Sequence, residues 1–212
     1  MIDLYCERVG LGLFAEPFNV LTNLVFLIAV WRSWTLGHHL NALSTGVWVL
    51  IVLLLSIGIG STLYHTFATG WARLFDLVPI LLFQLCYLWL YARRLQGFNF
   101  GGALGSVISY YAAAYLAQRF PAVLNGSLMY APALILLASL GLFHFLERKR
   151  GRFLLLTASG VFIISLFFRT IDRAICSFMP IGTHFLWHLL NGAVLYLSMR
   201  ALLLNGKKIC SR

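Results

Sequence analysis

Residues 43–65 read LSTGVWVLIVLLLSIGIGSTLYH. No charged side chain interrupts the run before His65, and its length meets the roughly 20 apolar residues a helix needs to cross a bilayer core. Hydropathy marks further stretches of this kind, placing spans at 18–34, 43–64, 74–92, 101–118, 127–146, 153–171 and 181–204. The expected fold is therefore an all-α membrane protein, a bundle of seven transmembrane helices. Composition agrees: of 212 residues, 61% are hydrophobic and 10% charged, whereas soluble domains carry about 25% charged residues. The spans leave an acidic N-terminal segment, 1–17, a membrane domain, 18–204, and a basic tail, 205–212, with no room for a soluble domain. The weakest span, GGALGSVISYYAAAYLAQ at 101–118, suits an interior helix whose small residues permit close packing. The first 17 residues, MIDLYCERVGLGLFAEP, do not run from basic to apolar, so no cleavable signal peptide is expected.

The net charge is +10, from 16 Lys plus Arg against 6 Asp plus Glu. No basic stripe with interleaved aromatics accompanies it, so no nucleic-acid partner is expected. Cytoplasmic loops collect Lys and Arg, which explains the excess. An odd number of spans puts the termini on opposite sides. One side then holds Arg32, Arg93, Arg94, Arg148, Lys149, Arg150, Arg152, Arg200, Lys207, Lys208 and Arg212; the other holds Arg8, Arg73, Arg119, Arg169 and Arg173. The first side is the cytoplasmic one, with the N-terminus outside and the C-terminus inside. The compact, tail-free chain suits a bacterial cytoplasmic membrane, and nothing in the sequence speaks to oligomeric state.

On that orientation His65 ends the second span, Asp76 begins the third, and His184 and His188 begin the seventh, all near the outer face. Ionisable side chains inside a membrane are costly and mark functional sites. His184 and His188 lie four apart and share a helix face. With a third His they offer the three-nitrogen shell of a catalytic zinc site with one position open, where bound water ionises near pH 7. The plainer alternative is histidines hydrogen-bonded inside the bundle. Haem held by His65 and His184 would leave His188 idle. Ser61 precedes His65 by four residues and shares its face; it either donates to a developing oxyanion or bonds its own backbone. Asp76 would orient a His or act as general base. The pair motif HFLWH is not HExxH, so the base must come from elsewhere, and Asp76 is the nearby acid in a span. Pro79 should free a backbone carbonyl near Asp76.

The remaining polar residues have plainer readings. His38 and His39 fall in the first cytoplasmic loop and His144 near the inner end of the fifth span, all solvated or interfacial. Asn19, Thr22 and Asn23 would bond across helices or hold the N-terminal segment, and Asn191 would position the His pair. Arg169 and Asp172 read as a snorkelling or ion-paired interface, and Trp71, Trp187, Tyr64 and Tyr130 as an aromatic belt. Cys86 reads as a small apolar residue and Cys210 as a cytoplasmic thiol.

Several elements together resemble the alkaline ceramidases, within the superfamily that includes the seven-span adiponectin-receptor-like proteins. They are DLYCER at 3–8, AEPFNVLTNLVF at 15–26, GSTLYHT at 60–66, FDLVP at 75–79 and THFLWHLLN at 183–191. The resemblance implies a zinc-dependent amidase site: His65, His184 and His188 as zinc ligands, Asp76 as general base and later acid, and Ser61 stabilising the oxyanion. Water would attack the amide of a ceramide-like lipid, releasing a fatty acid and a sphingoid base, with the acyl chain held in a cavity entered from the lipid. It also implies calcium in the N-terminal segment, with Asp3, Glu7, Glu16 and a carbonyl near Tyr5 as candidate ligands. The segment RVGLGLFA between the two glutamates is short and lacks an Asn ligand, and an acidic tail obeying charge asymmetry is the alternative. Cys6 and Cys176 both lie outside, where a disulfide is permitted, and the resemblance is compatible with one. Beside the lipid amidase stand a zinc-containing seven-helix receptor or sensor of the same superfamily, a haem electron-transfer protein and a transporter. The short N-terminal segment favours an enzyme over a receptor, and the apolar inner halves of the spans speak against a transporter.

Overall fold

The computed structural model describes residues 2–10 and 12–206. Lys207, Lys208, Cys210 and Arg212, in the expected basic tail, lie outside the described residues. The helices are α1 Pro17–Thr22, α2 Leu24–His39, α3 Thr45–Phe67, α4 Gly70–Arg94, α5 Phe100–Ala117, α6 Ala131–Leu146, α7 Leu154–Ile171 and α8 His184–Asn205; no strand occurs among the described residues. Helices α1 and α2 join across Asn23 into one span, Pro17–His39, and a 3-10 turn extends α6 back to Val123. Six of the resulting helices are long and apolar enough to cross a membrane. The seventh, α5, is the one expected to be weakest. Neighbours in sequence pack side by side, and α2 also packs against α8, which closes the bundle.

The surface is largely apolar, and the mainly apolar interior also holds buried polar side chains. Ile28, Trp31, Val52, Ile59, Ile135 and Ile163 point outward, while Asn19, Ser33, His144, Ser165 and Asp172 are buried. Lipid as the surrounding solvent accounts for both: it accepts bare hydrocarbon and cannot satisfy hydrogen bonds. The helices overrun several expected boundaries. Of the loop expected between the second and third spans, Ala68 and Thr69 alone remain outside a helix. Ala68 stops α3 with a left-handed φ of 48°, and the Thr69 hydroxyl caps α4 by accepting from the Ala72 amide. Hydropathy falls at the polar residues of the interface, whereas the hydrogen-bond ladder runs on through it. Likewise His38 and His39 occupy the last turn of α2, exposed, rather than a loop.

His144 is not interfacial but fully buried. Its ring bonds the Tyr91 hydroxyl at 2.8 Å and the Arg150 carbonyl at 3.1 Å, and Asn205 bonds the Arg150 backbone. This clasp joins α4, α6 and α8 at one end of the bundle. The N-terminal segment covers the other end, where Ile2 N–H donates to the Ala68 carbonyl and Arg8 to the His65 carbonyl.

Candidate metal centre

Helix α3 carries Ser61 and His65 on its buried face, and α4 carries Asp76 in its second turn. Their meeting rests on Gly60: a Cβ there would lie 1.9 Å from the Phe75 carbonyl oxygen. That carbonyl is the one Pro79 deprives of its helical partner. A glycine and a proline thus let two helix backbones touch beside the site. Helix α8 begins at His184 because the Asp172 carboxylate, itself fully buried, accepts from the amides of Thr183 and His184 at 2.6 and 2.9 Å. A negative group at a helix N-terminus satisfies otherwise orphaned donors. The same carboxylate accepts from the Cys6 amide at 3.1 Å. Gly182, at φ +63°, leaves room for it; a Cβ would lie 2.2 Å from Asp172 Oδ1.

These elements bring His65, His184 and His188 together. Their ring centroids lie 4.7–5.2 Å apart, each residue is at most 2% exposed, and one nitrogen from each falls within 4.8 Å of the others. The outer nitrogens of two rings are already engaged. His65 Nδ1 meets Glu16 Oε2 at 2.5 Å, and His188 Nδ1 meets Thr22 Oγ1 at 3.0 Å. That leaves Nε2 of each for a metal, the arrangement in which second partners fix ring orientation. His184 stacks on Tyr5 at 3.6 Å, and its Nδ1 is buried with no hydrogen-bond partner among the described residues. Three converging imidazoles with nitrogens to spare fit zinc.

Ser61 and Asp76 line the same cavity as the imidazoles. It runs from Tyr5 and the histidines past Phe83 and Leu140 to Ser198, walled mainly by apolar side chains. Tyr130 and Trp187 form part of its wall, 4.8 Å apart. With Tyr64 they are buried rather than members of an aromatic belt, and of the four expected there Trp71 alone is exposed. The guanidinium of Arg169 lies over both rings and donates to the Asn125 carbonyl and the Ser127 hydroxyl. It makes no ion pair with Asp172, whose oxygens accept from the amides of Cys6, Thr183 and His184 instead. Asn191 ties α8 to Ser165 of α7 at 2.9 Å.

The expected calcium ligands do not form a cation site. Glu7 caps α1, accepting from the Phe18 and Asn19 amides at 2.5 and 2.8 Å. Glu16 accepts from Arg8, Asn19 and His65. The Tyr5 carbonyl accepts from the Arg8 amide, and Asp3 is exposed. Among the described residues the three histidines are the one group of His, Cys, Asp or Glu placed to share a metal. Burial pushes the Glu7 carboxyl above its usual range, against the two amides that favour its charge. Burial pushes the same way at Glu16, but His65, Asn19 and Arg8 outweigh it and hold that carboxyl below its usual range. Cys6 and Cys176 are joined as a disulfide with Cα atoms 5.2 Å apart, which pins the segment carrying Tyr5 to the α7–α8 connection.

Glu16, Thr22 and Asp172 are the positioning residues that sequence reasoning did not assign. The sole hint was the crowding of polar residues at 16–23, just where a span begins. No curated protein matches the chain. The sequence model of the family Ceramidase matches residues 5–206, from the tyrosine stacked on His184 to the end of α8, and the chain belongs to the ceramidase family.

Proposed function

We propose that the chain is a zinc-dependent intramembrane amidase that hydrolyses a ceramide-like lipid amide to a fatty acid and a sphingoid base. The observation that carries this reading is the convergence of three buried imidazoles with Asp76 and Ser61 at the head of one mostly apolar cavity. His65, His184 and His188 would hold the zinc. When bound, zinc supplies a Lewis acid and an acidified water. Asp76 takes the proton from the attacking water and returns it to the leaving nitrogen. The Ser61 hydroxyl donates to the oxyanion as the carbonyl becomes tetrahedral. The apolar walls below receive the acyl chain and keep bulk water from the reacting carbonyl. The N-terminal segment, with Tyr5 over His184, closes the site on the side away from the bilayer centre.

Metal analysis of the purified chain, paired with release of fatty acid from fluorescent ceramides, tests the reading. Stoichiometric zinc and hydrolysis are expected in the wild type, and His188→Ala loses both. Asp76→Asn retains zinc and loses about 10²-fold or more in kcat, the usual contribution of a positioned proton-transfer group. Zinc without cleavage of any lipid amide, or an Asp76→Asn variant of full activity, overturns it.

A further inference from the structure

We propose that Arg8 is a built-in cation of the N-terminal segment: its guanidinium stands where a calcium ion was expected, and through Glu16 it holds His65 in its ligating orientation. For the role of His65 this rests on the amidase reading above. Glu7, Arg8 and Glu16 are all buried, at 7%, 5% and 2% exposure. Buried carboxylates need an opposite charge or a full set of donors. Glu7 finds amides, at the start of α1. Glu16 finds Arg8, whose Nε donates to Oε1, while Oε2 meets His65 Nδ1 at 2.5 Å and Asn19 Nδ2 at 3.0 Å. Arg8 Nη2 donates at 2.7 Å to the backbone carbonyl of the same His65. One planar fork therefore grips the histidine twice, once at its backbone and once at its ring through the carboxylate. A lysine ammonium does not present that geometry.

A calcium ion would need six to eight oxygens. The Glu7 oxygens face amides, the Tyr5 carbonyl faces the Arg8 amide, and a permanent positive charge already lies against Glu16. A dication placed there would be repelled by that charge. Arg8 is a positioning residue, and the segment needs no dissociable ion to hold its shape.

Calcium titration and zinc competition on the full-length protein in detergent test this without any substrate. Calcium chloride or a calcium-selective chelator leaves the wild-type melting temperature unchanged. Arg8→Ala lowers zinc affinity, read against a chromogenic chelator, by about 10-fold or more, the usual loss when a ligand's outer partner is removed. Millimolar calcium or guanidinium restores part of that affinity, and Arg8→Lys retains more of it than Arg8→Ala. Stoichiometric calcium in the wild type, a melting temperature that calcium raises, or an Arg8→Ala protein that holds zinc as tightly as wild type overturns the proposal. If Arg8→Ala does not fold, Arg8→Lys and the wild-type titration decide. A wild type that holds zinc and ignores calcium yet cleaves no lipid amide sinks the amidase reading and leaves Arg8 in place.

Discussion

Glu16 orients the ring of His65, one of the three proposed zinc ligands. Its carboxylate binds His65 Nδ1 and so directs Nε2 toward the other two imidazoles. Glu16→Gln keeps the shape and loses the charge, and zinc affinity should drop about 10- to 100-fold. A competition assay with a chromogenic chelator reads it directly; unchanged affinity would remove Glu16 from the site. The carboxylate also predicts a pH effect. Burial raises its pKa, and the His65, Asn19 and Arg8 donors more than reverse this, so the folded value lies below the ordinary 4.5. A depressed carboxyl adds stability above its unfolded pKa and loses it as pH falls through the lower folded one. The zinc-free protein should therefore lose melting temperature below about pH 4.5 more steeply than Glu16→Gln. Equal slopes would count against the assignment. The histidines themselves were legible in the sequence, because imidazoles at span ends and a four-residue spacing carry their own signal. Glu16 and Thr22 were not legible as their partners. They lie 49 residues from His65 and 166 from His188, and the fold-back of the N-terminal segment makes those pairs.

Helices α3 and α4 hold Asp76, the proposed proton-transfer group, near the proposed metal ligands through a contact that no side chain makes. At Gly60 the two backbones meet, and the Phe75 carbonyl stands where a Cβ would be. Gly60→Ala must push α4 outward and carry Asp76 with it. Overpacking of this kind costs about 1–3 kcal/mol, and displacement by about 1 Å can cost 10²-fold in rate. The expected variant binds zinc like the wild type, since no proposed ligand sits on α4, but hydrolyses at least about 10-fold more slowly. Parallel loss of zinc, or unimpaired hydrolysis, would show that the α3–α4 contact does something else. At the start of α8 the division of labour differs. Three-residue spacing puts Arg169 and Asp172 on one helix face, which by itself reads as a snorkelling or ion-paired interface. In the fold the Asp172 oxygens go to backbone amides of Cys6, Thr183 and His184, and the Arg169 guanidinium lies over Tyr130 and Trp187 instead. Spacing along one helix says nothing of donors that arrive from elsewhere. The helices themselves were legible because a lipid-facing segment must be apolar over a set length; their ends ran longer because hydropathy does not report hydrogen bonds.

The two ends of the bundle differ in charge, in covalent linkage and in chemistry, and these differences agree on one orientation. Of the five basic residues counted at the site end, Arg8 and Arg169 are buried and bonded within the protein, so Arg73, Arg119 and Arg173 remain to face the surroundings. The opposite end carries Arg93, Arg94, Arg148, Lys149, Arg150 and Arg152. Setting the buried cations aside sharpens the positive-inside bias. The Cys6–Cys176 bridge belongs to the site end, and disulfides persist in oxidising compartments. Charge and redox chemistry are independent criteria, and both support the expected orientation, with the site end outside. A fluorescent protein fused to the C-terminus should therefore fold and fluoresce in the cytoplasm, while alkaline phosphatase fused there stays inactive. The reverse pattern would place the bridge in a reducing compartment and the basic end outside, against both criteria at once. The bridge gives a second reading of the same arrangement. With the spans still inserted, Cys6→Ser removes the covalent tie beside Tyr5 and leaves the Arg8 and Glu7 hydrogen bonds, so the Tyr5 stack on His184 should loosen first. Hydrolysis and zinc retention should fall in Cys6→Ser and Cys176→Ser alike, and in the double variant by no more than in either alone, because one bond accounts for both. Additive losses would mean that the two cysteines act separately.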